Sequence, residues 1–300
     1  MSPSSPEIAA SYSESNPLMP MLRAMGWGAL VNLGYYPPMF MPALIARGVA
    51  PFQRDLAARS TGLLQLGADD HVLDAACGRG YTSDLMARTV RQVMAVDLVE
   101  DQIKQARERF GTNPRIHFVV ADVTDLRAIE PGRFPDQYFD KAHCLEAAFH
   151  FGPLGRRAFL EEMHRVLKPG GRLVLVDLVL KGSDPSEIHD ADPQGIVRDT
   201  WSFEEIETLG RYRQHFRDTG FRLGAELDWS RPVMERTLQQ LRISAALTAS
   251  AIGRRLTVLR WPELASLGPA DWRRLTDTLR AHGHASKAFG YTAFVLDKPL

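Results

Sequence analysis

The 300-residue sequence predicts a doubly wound α/β sheet, mostly parallel, with helical lid insertions. Three observations carry this. Between residues 52 and 180, short apolar segments alternate with segments of helical spacing, the rhythm of parallel strands joined by right-handed helical crossovers. The strand-like segments are almost continuously apolar, as in a parallel sheet covered on both faces. The first of them, in "HVLDAACGRGYTSDLM" (71–86), runs through a glycine turn into a helix. In such a sheet the ligand lies at the carboxyl ends of the strands, beside the topological switch point.

The elements follow in order. "PFQRDLAARSTGLLQL" (51–66) has helical spacing, "HVLDAA" (71–76) reads as a strand and "YTSDLMARTV" (81–90) as a helix. "QVMAVDL" (92–98) is a strand, and "EDQIKQARERFG" (100–111) a helix stopped by Gly111. "IHFVVADV" (116–123) is a third strand, and "FDKAHCLEAAFHF" (139–151) a fourth that ends near Glu146. "GRRAFLEEMHRVL" (155–167) is helical, "KPGG" a turn, and "RLVLVDLVL" (172–180) a fifth strand. "FRLGAELDWS" (221–230) and "FGYTAFVLDKP" (289–299) complete seven strands, with helix expected over 232–288, including one that starts at Pro269 and ends at Gly283. The predicted organisation is a tail and helical cap over 1–50, a ligand-binding core over 51–181, and the rest of the sheet over 182–300, with lid insertions at about 182–218 and 231–288.

Composition narrows the function classes. Lys plus Arg and Asp plus Glu number 36 each, so the chain lacks the basic footprint of a nucleic-acid binder. Cys77 and Cys144 are the only cysteines, which excludes a disulfide framework and a zinc cluster, and no metal is expected. The Ser/Pro-rich start lacks the basic and apolar regions of a secretion signal, so a cytoplasmic protein with a mobile tail is expected. Residues 18–50 are the most apolar stretch, but Pro37, Pro38 and Pro42 interrupt it. Two short helices capping a cavity fit better than a membrane span, and no stable membrane insertion is expected. Loose contact with a membrane surface is the lesser alternative, and the composition leaves homo-oligomerisation open.

The glycine turn carries Asp74 just ahead of Gly78 and Gly80, and Ser83 stands where a dinucleotide fingerprint has its third glycine. A pyrophosphate on the helix N-terminus would be repelled by Asp74. S-adenosylmethionine has no phosphate; it has an ammonium for Asp74 to accept from, a sulfonium, and a carboxylate or ribose that the amides around Gly78–Gly80 can approach. Asp97 ends the second strand and can accept from both ribose hydroxyls, a device NAD sites share. Leu98 can pack on the adenine, with Gln102 on the following helix also facing the cofactor. Asp122, beside Val123, can accept from the adenine amino group.

These residues make the chain resemble the class I S-adenosylmethionine-dependent methyltransferases, with their Rossmann-like sheet. It is most similar to the branch that methylates quinones, sterols, tocopherols and antibiotics. "VLDAACGRG", "VDL" with Asp97, "ADV" with Asp122 and "HRVLKPGGRLVLVDL" carry the resemblance over roughly residues 30–180. Ala76 departs from it, standing where the family usually has the first glycine of its motif; binding is expected to survive with some backbone adjustment. "NLGYY" resembles an element of this branch in which Tyr35 would close over the methionine end.

Methyl transfer needs alignment and, for a hydroxyl or amine, a base. Leu145 and Glu146 follow the fourth strand near the cofactor, and His150 should point into the pocket beyond. Asp177 lies near the end of the fifth strand. The resemblance implies a histidine and an aspartate as base pair, which His150 and Asp177 match; Glu146 is the third candidate, and His143 is expected to pack. Trp27, Tyr36, Phe40, Trp201, Phe203, Tyr212, Phe216 and Trp229 suit a bulky apolar acceptor. The expected function is methyl transfer to oxygen or nitrogen of a hydrophobic small molecule in natural product biosynthesis. The alternatives are carbon methylation of an isoprenoid or other alkene or aromatic acceptor, and an NAD(P)-dependent oxidoreductase.

Overall fold

A computed structural model describes residues 5–13, 15–26, 28, 30–129 and 132–300. Ahead of the sheet come α1 (Ser5–Ser11), α2 (Met19–Ala24), α3 (Met41–Arg47) and α4 (Ala50–Gly62). The core continues through β1 (His71–Ala75), α5 (Tyr81–Ala87), β2 (Gln92–Asp97), α6 (Glu100–Phe110), β3 (Ile116–Val120), β4 (Phe139–Leu145), α7 (Gly152–Val166) and β5 (Leu167–Leu180). Then follow α8 (Ile188–Ala191), α9 (Ile196–Trp201), α10 (Leu209–Asp218) and β6 (Arg222–Asp228). The chain ends with α11 (Arg236–Ala249), α12 (Ala251–Arg260), α13 (Pro269–Ala285) and β7 (Phe289–Asp297).

The seven strands form one sheet in the order β3-β2-β1-β4-β5-β7-β6. β7 runs antiparallel to both neighbours, and β1 to β5 pair in parallel. Strand order reverses between β1 and β4, so the crevice expected of a doubly wound sheet opens at their carboxyl ends. The "KPGG" turn is a bulge inside β5: Phe139 pairs with Leu167, and Lys141 with Arg172. Gly283 does not end its helix; α13 runs on to Ala285.

Alternation along the strands separates two cores. Val174, Val176 and Leu180 of β5 join the core that holds Leu56 of α4, Met86 of α5 and Ile103 of α6. Leu173, Leu175 and Val179 join the opposite one, with Phe159 and Met163 of α7 and Tyr212 and Phe216 of α10. A third core ties Met21, Met25, Phe40 and Leu44 of the amino-terminal cap to Ala245, Trp272 and Leu279 of α11 and α13. The two segments read as separate caps therefore form one roof over the crevice.

Residues 5–13 and 15–17 of the polar amino-terminal segment, expected to be mobile, pack into this roof. The Ser5 hydroxyl donates to the Leu98 carbonyl (3.3 Å) and Ser202 Oγ to the Glu7 carbonyl (2.8 Å). Buried Asn16 donates to Ser11 O (2.7 Å) and accepts from Leu18 N (2.9 Å). The serines that mark the segment as soluble in composition find their partners up to about 190 residues away along the chain.

Candidate active site

The turn after β1 takes three left-handed residues in five: Ala76 (φ 58°), Gly78 (φ 53°) and Gly80 (φ 81°). Gly78 faces open space, with no atom within 4 Å of where a Cβ would stand, and its N–H donates to Asp97 Oδ2 (2.8 Å). Gly80, expected to touch the cofactor, lines no part of the cavity described below. A Cβ there would sit 2.9 Å from the Phe118 ring and 3.1 Å from Ala106, so this glycine lets α5 pack against β3 and α6. Ala76 itself stands in the left-handed region that favours glycine. That conformation costs an L-residue about 1–2 kcal/mol, against about 0.4–1 kcal/mol of chain entropy lost by glycine. Ala76→Gly is therefore expected to stabilise by about 0.5–1 kcal/mol, read as a raised midpoint in thermal or urea unfolding; a lower midpoint would show that Ala76 is unstrained.

Asp74 lies behind this turn rather than exposed beside it. Its Oδ2 accepts from Thr82 Oγ1 (2.7 Å) and Ser83 Oγ (2.6 Å), and its Oδ1 lies 3.0 Å from His143 Nδ1. His143 is its register partner on β4, and the ring's Nε2 reaches Ser60 of α4 (3.0 Å). Asp74 thus clamps the start of α5 to β4. It also borders the small recess described next.

A cavity of about 140 Å³ lies across the strand tips, walled by Ala76, Gly78, Asp97, Leu98, Val99, Gln102, Asp122, Val123 and Leu145. Ala76, Gly78 and Leu145 also border an adjoining recess of about 60 Å³, where Leu30, Val31, Asn32 and Arg79 stand. Burial raises Asp97 to about 6, partly offset by the Val99 (2.9 Å) and Gly78 amides that donate to it. Asp122 Oδ1 accepts from the amide (2.8 Å) and hydroxyl (2.7 Å) of Thr124. Gln102 accepts from Arg79 Nε (3.1 Å), and Arg79 Nη1 donates to the Gly28 carbonyl. Carboxylates at two tips, apolar Leu98 and Val123 between them, and a guanidinium at the far end match an adenosine linked to an amino acid. Arg79 was not foreseen, since an arginine inside a glycine turn has no meaning until the loop is folded.

Tyr35 does not close over this recess. Its ring lies beneath the Arg59 guanidinium (4.1 Å) and against Trp229 (5.7 Å). The backbone explains it: Tyr35 N–H donates to Phe52 O, the next amide to Pro232 O, and alternate side chains of this extended segment point apart. Leu30, Val31 and Asn32 take the place expected of Tyr35.

A second cavity, about 160 Å³ and mostly apolar, lies under the roof. Of the expected aromatics, Tyr36, Trp201 and Phe203 line it. Phe40 packs inside the cap, Tyr212 and Phe216 lie across the sheet, Trp229 packs on Tyr35, and Trp27 falls outside the described residues. Tyr12, Val31 and Glu146 are shared with the first cavity. Buried His282 lines the second one as well, accepting from Trp201 Nε1 (2.8 Å).

His150 stands in the first cavity, next to Phe149 in the second. Its Nδ1 lies 3.1 Å from the Ser202 carbonyl, which can only accept, so Nδ1 carries the proton and Nε2 accepts from the Tyr12 hydroxyl (3.0 Å). Burial lowers His150 to about 4 and raises the Tyr12 phenol. The expected His150–Asp177 pair is not formed. On β5, Leu178 faces the second cavity, so Asp177 points to the opposite face, where it accepts from Leu178 N (2.8 Å) and Tyr212 OH (3.5 Å). Burial raises it to about 7, while the Phe149 amide draws it down. Asp177 thus holds the turn that carries His150 and does not touch its ring. Asp177→Asn should lower kcat by less than about tenfold, one hydrogen bond's worth, with the pH profile unmoved; a loss equal to that of a His150 variant would restore the pair.

Glu146 takes a strained φ of 53° at the tip of β4. Its carboxyl accepts from Leu33 N (3.0 Å) and Tyr291 OH (2.6 Å), and burial raises it to about 8. It fastens the amino-terminal cap to β7 between the two cavities.

Residues 72–171 match the family described as "Methyltransferase domain". The 27-O-demethylrifamycin SV methyltransferase of Amycolatopsis mediterranei (strain S699) is 29% identical over 73% of this chain and 74% of its own. The O-methyltransferase resE of Aspergillus sclerotiorum is 24% identical over 74% of this chain and 78% of its own. The fold of the cyclopropane synthase MmaA2 from Mycobacterium tuberculosis superposes with a TM-score of 0.72, at 17% identity, over 99% of both chains. These matches decide between the two cofactor readings, against a dinucleotide oxidoreductase. The chain belongs to the class I S-adenosylmethionine-dependent methyltransferases of the small-molecule type.

Proposed function

We propose that the chain methylates an oxygen of a largely apolar, hydroxylated small molecule in specialised metabolism, with His150 as the base and Tyr12, not Asp177, as its partner. The observation that carries this is the Tyr12–His150 contact at the junction of the two cavities. Bound S-adenosylmethionine supplies an electrophilic methyl on a sulfonium. Asp97 accepts from its ribose hydroxyls, Asp122 from its adenine amino group, and Leu98 and Val123 pack on the base. Arg79 faces the carboxylate end, and Asp74 keeps the turn in shape.

The acceptor hydroxyl gives its proton to the Tyr12 oxygen as Tyr12 passes its own to His150 Nε2. The Ser202 carbonyl keeps that nitrogen unprotonated beforehand and faces the imidazolium afterwards. Names of both sequence relatives above refer to methylation at oxygen, which supports this choice of atom. The acceptor's polarity is supported by three buried oxygens of the apolar cavity that lack a hydrogen-bond partner among the described residues: Gln53 Oε1, Thr237 Oγ1 and Gln240 Oε1. Two bare amide oxygens and a bare hydroxyl in an apolar wall are costly unless the ligand brings polar partners, above all donors for the amide oxygens.

The test is incubation with labelled S-adenosylmethionine and a panel of phenols, sugars, quinones, isoprenoids and hydroxylated macrocycles, with the methylated atom located by NMR. Label on oxygen supports the reading. Label on carbon would overturn it in favour of the alkene alternative, with Glu146, raised to about 8 and bordering both cavities, as the group that removes the proton.

A further inference from the structure

We propose that the face formed by α3, α11 and α12 docks on an anionic phospholipid surface, from which the apolar acceptor enters. Three observations meet there. The first is charge. The chain is neutral overall, with 36 acidic residues, yet the two segments that build this face contain none: residues 15–54 hold three arginines and residues 236–262 hold five, without an aspartate or glutamate. Arg47, Arg242 and Arg255 are exposed on it.

The second is apolar exposure. Ile252, Leu256 and Leu259 recur at i, i+4 and i+7 on α12, so they share one helix face, and they are 73%, 55% and 80% exposed. Ile45 on α3 is 50% exposed and Met39, just before it, 85%. Apolar side chains at protruding positions with arginines beside them form the pattern of an interfacial helix, in which the guanidinium meets phosphate while the aliphatic groups enter the acyl boundary. An acidic protein partner would match the arginines but would leave the protruding leucines facing a charged surface.

The third is continuity. Between α2, α3, α11 and α12 lies an apolar groove of about 200 Å³ with Met21, Met25 and Met41 in its walls and Leu256 and Ile45 at its rim. Methionine suits a passage that must accommodate different shapes. The groove and the acceptor cavity share one wall residue, Gln240, whose Nε2 rests against Met25 Sδ (4.0 Å) and whose Oε1 has no partner among the described residues. A side chain with such weak tethers can turn aside. No helix among the described residues is long and apolar enough to cross a membrane, so the contact is one of docking.

The test is co-sedimentation of the full chain with phosphatidylglycerol and with phosphatidylcholine vesicles at low and physiological salt. Binding needs neither cofactor nor acceptor, so its failure leaves the methyl-transfer reading standing. The expected result is binding to phosphatidylglycerol vesicles that weakens with salt and is at least about tenfold weaker on phosphatidylcholine. Arg242→Gln with Arg255→Gln should cost roughly thirtyfold, and Ile252→Ser with Leu259→Ser should weaken binding as far. All four side chains are exposed and outside the site, so unfolding midpoints should hold. Absence of binding at low salt, binding indifferent to these variants, or a dimer in solution that the same variants dissolve would each overturn the proposal.

Discussion

His150→Ala is expected to lower kcat by about a hundredfold to ten-thousandfold, the usual worth of a positioned base, while S-adenosylhomocysteine affinity stays within about twofold. The separation follows from geometry. His150 borders the first cavity, but its two ring nitrogens are engaged by Ser202 and Tyr12. Tyr12→Phe removes the relay and leaves the ring in place, so it should reproduce much of the loss. If Tyr12→Phe is fully active, Tyr12 is only a cover. If His150→Ala loses cofactor affinity in step with turnover, His150 is structural.

The pH profile identifies the base independently. Burial lowers His150 to about 4, so its lone pair is available at neutral pH and is lost only as pH falls through that value; the acid limb should lie near 4. Glu146 is raised to about 8, so a reaction that used its carboxylate would lose rate as pH falls through 8. A limb near 8 would transfer the base role to Glu146. Linkage also makes His150 a liability in acid: the unfolded chain takes up the proton near 6.5 and the folded one near 4, so stability falls as pH drops across that window.

Asp97→Ala is expected to weaken S-adenosylhomocysteine binding by about tenfold to 150-fold, from the loss of about 1.5–3 kcal/mol in hydrogen bonds to a charged acceptor. The effect has two sources. The carboxylate is the acceptor at the tip of β2, and it also receives the Gly78 amide that shapes the turn. Asp97→Asn separates them, because it keeps a carbonyl acceptor but not the charge. Affinity should also fall as pH drops below about 6, where the empty site's Asp97 becomes protonated, by at most about tenfold per pH unit. Calorimetry of the three proteins between pH 5 and 8 reads both effects. Unchanged affinity in Asp97→Ala would remove Asp97 from the ribose.

The sheet was legible because its cause is local and repeated. Apolar runs bounded by glycine turns place the strands within a few residues, and acidic residues at successive strand ends fall on one edge of a parallel sheet by topology alone. Asp97 and Asp122 follow in this way, and the structure sets them with the expected Leu98, Val123, Gln102 and Leu145 around one cavity. Side-chain direction was not legible at the same level. Asp177 differs from Leu178 by one step in β5, and that step carries it to the far face, away from His150. Tyr35 and Tyr36 part in the same way.

Least legible was the amino terminus. Its serines and prolines have the composition of a free tail, and nothing local in "SPEIAASYSESNP" singles out Tyr12. The sequence by itself determined the sheet, the edge on which the acidic strand ends gather, and the family, since these follow from periodicity and from charge at fixed offsets. Only the tertiary structure decided what stands against His150, because a hydrogen bond between residues 138 apart exists only after the roof has folded over the crevice.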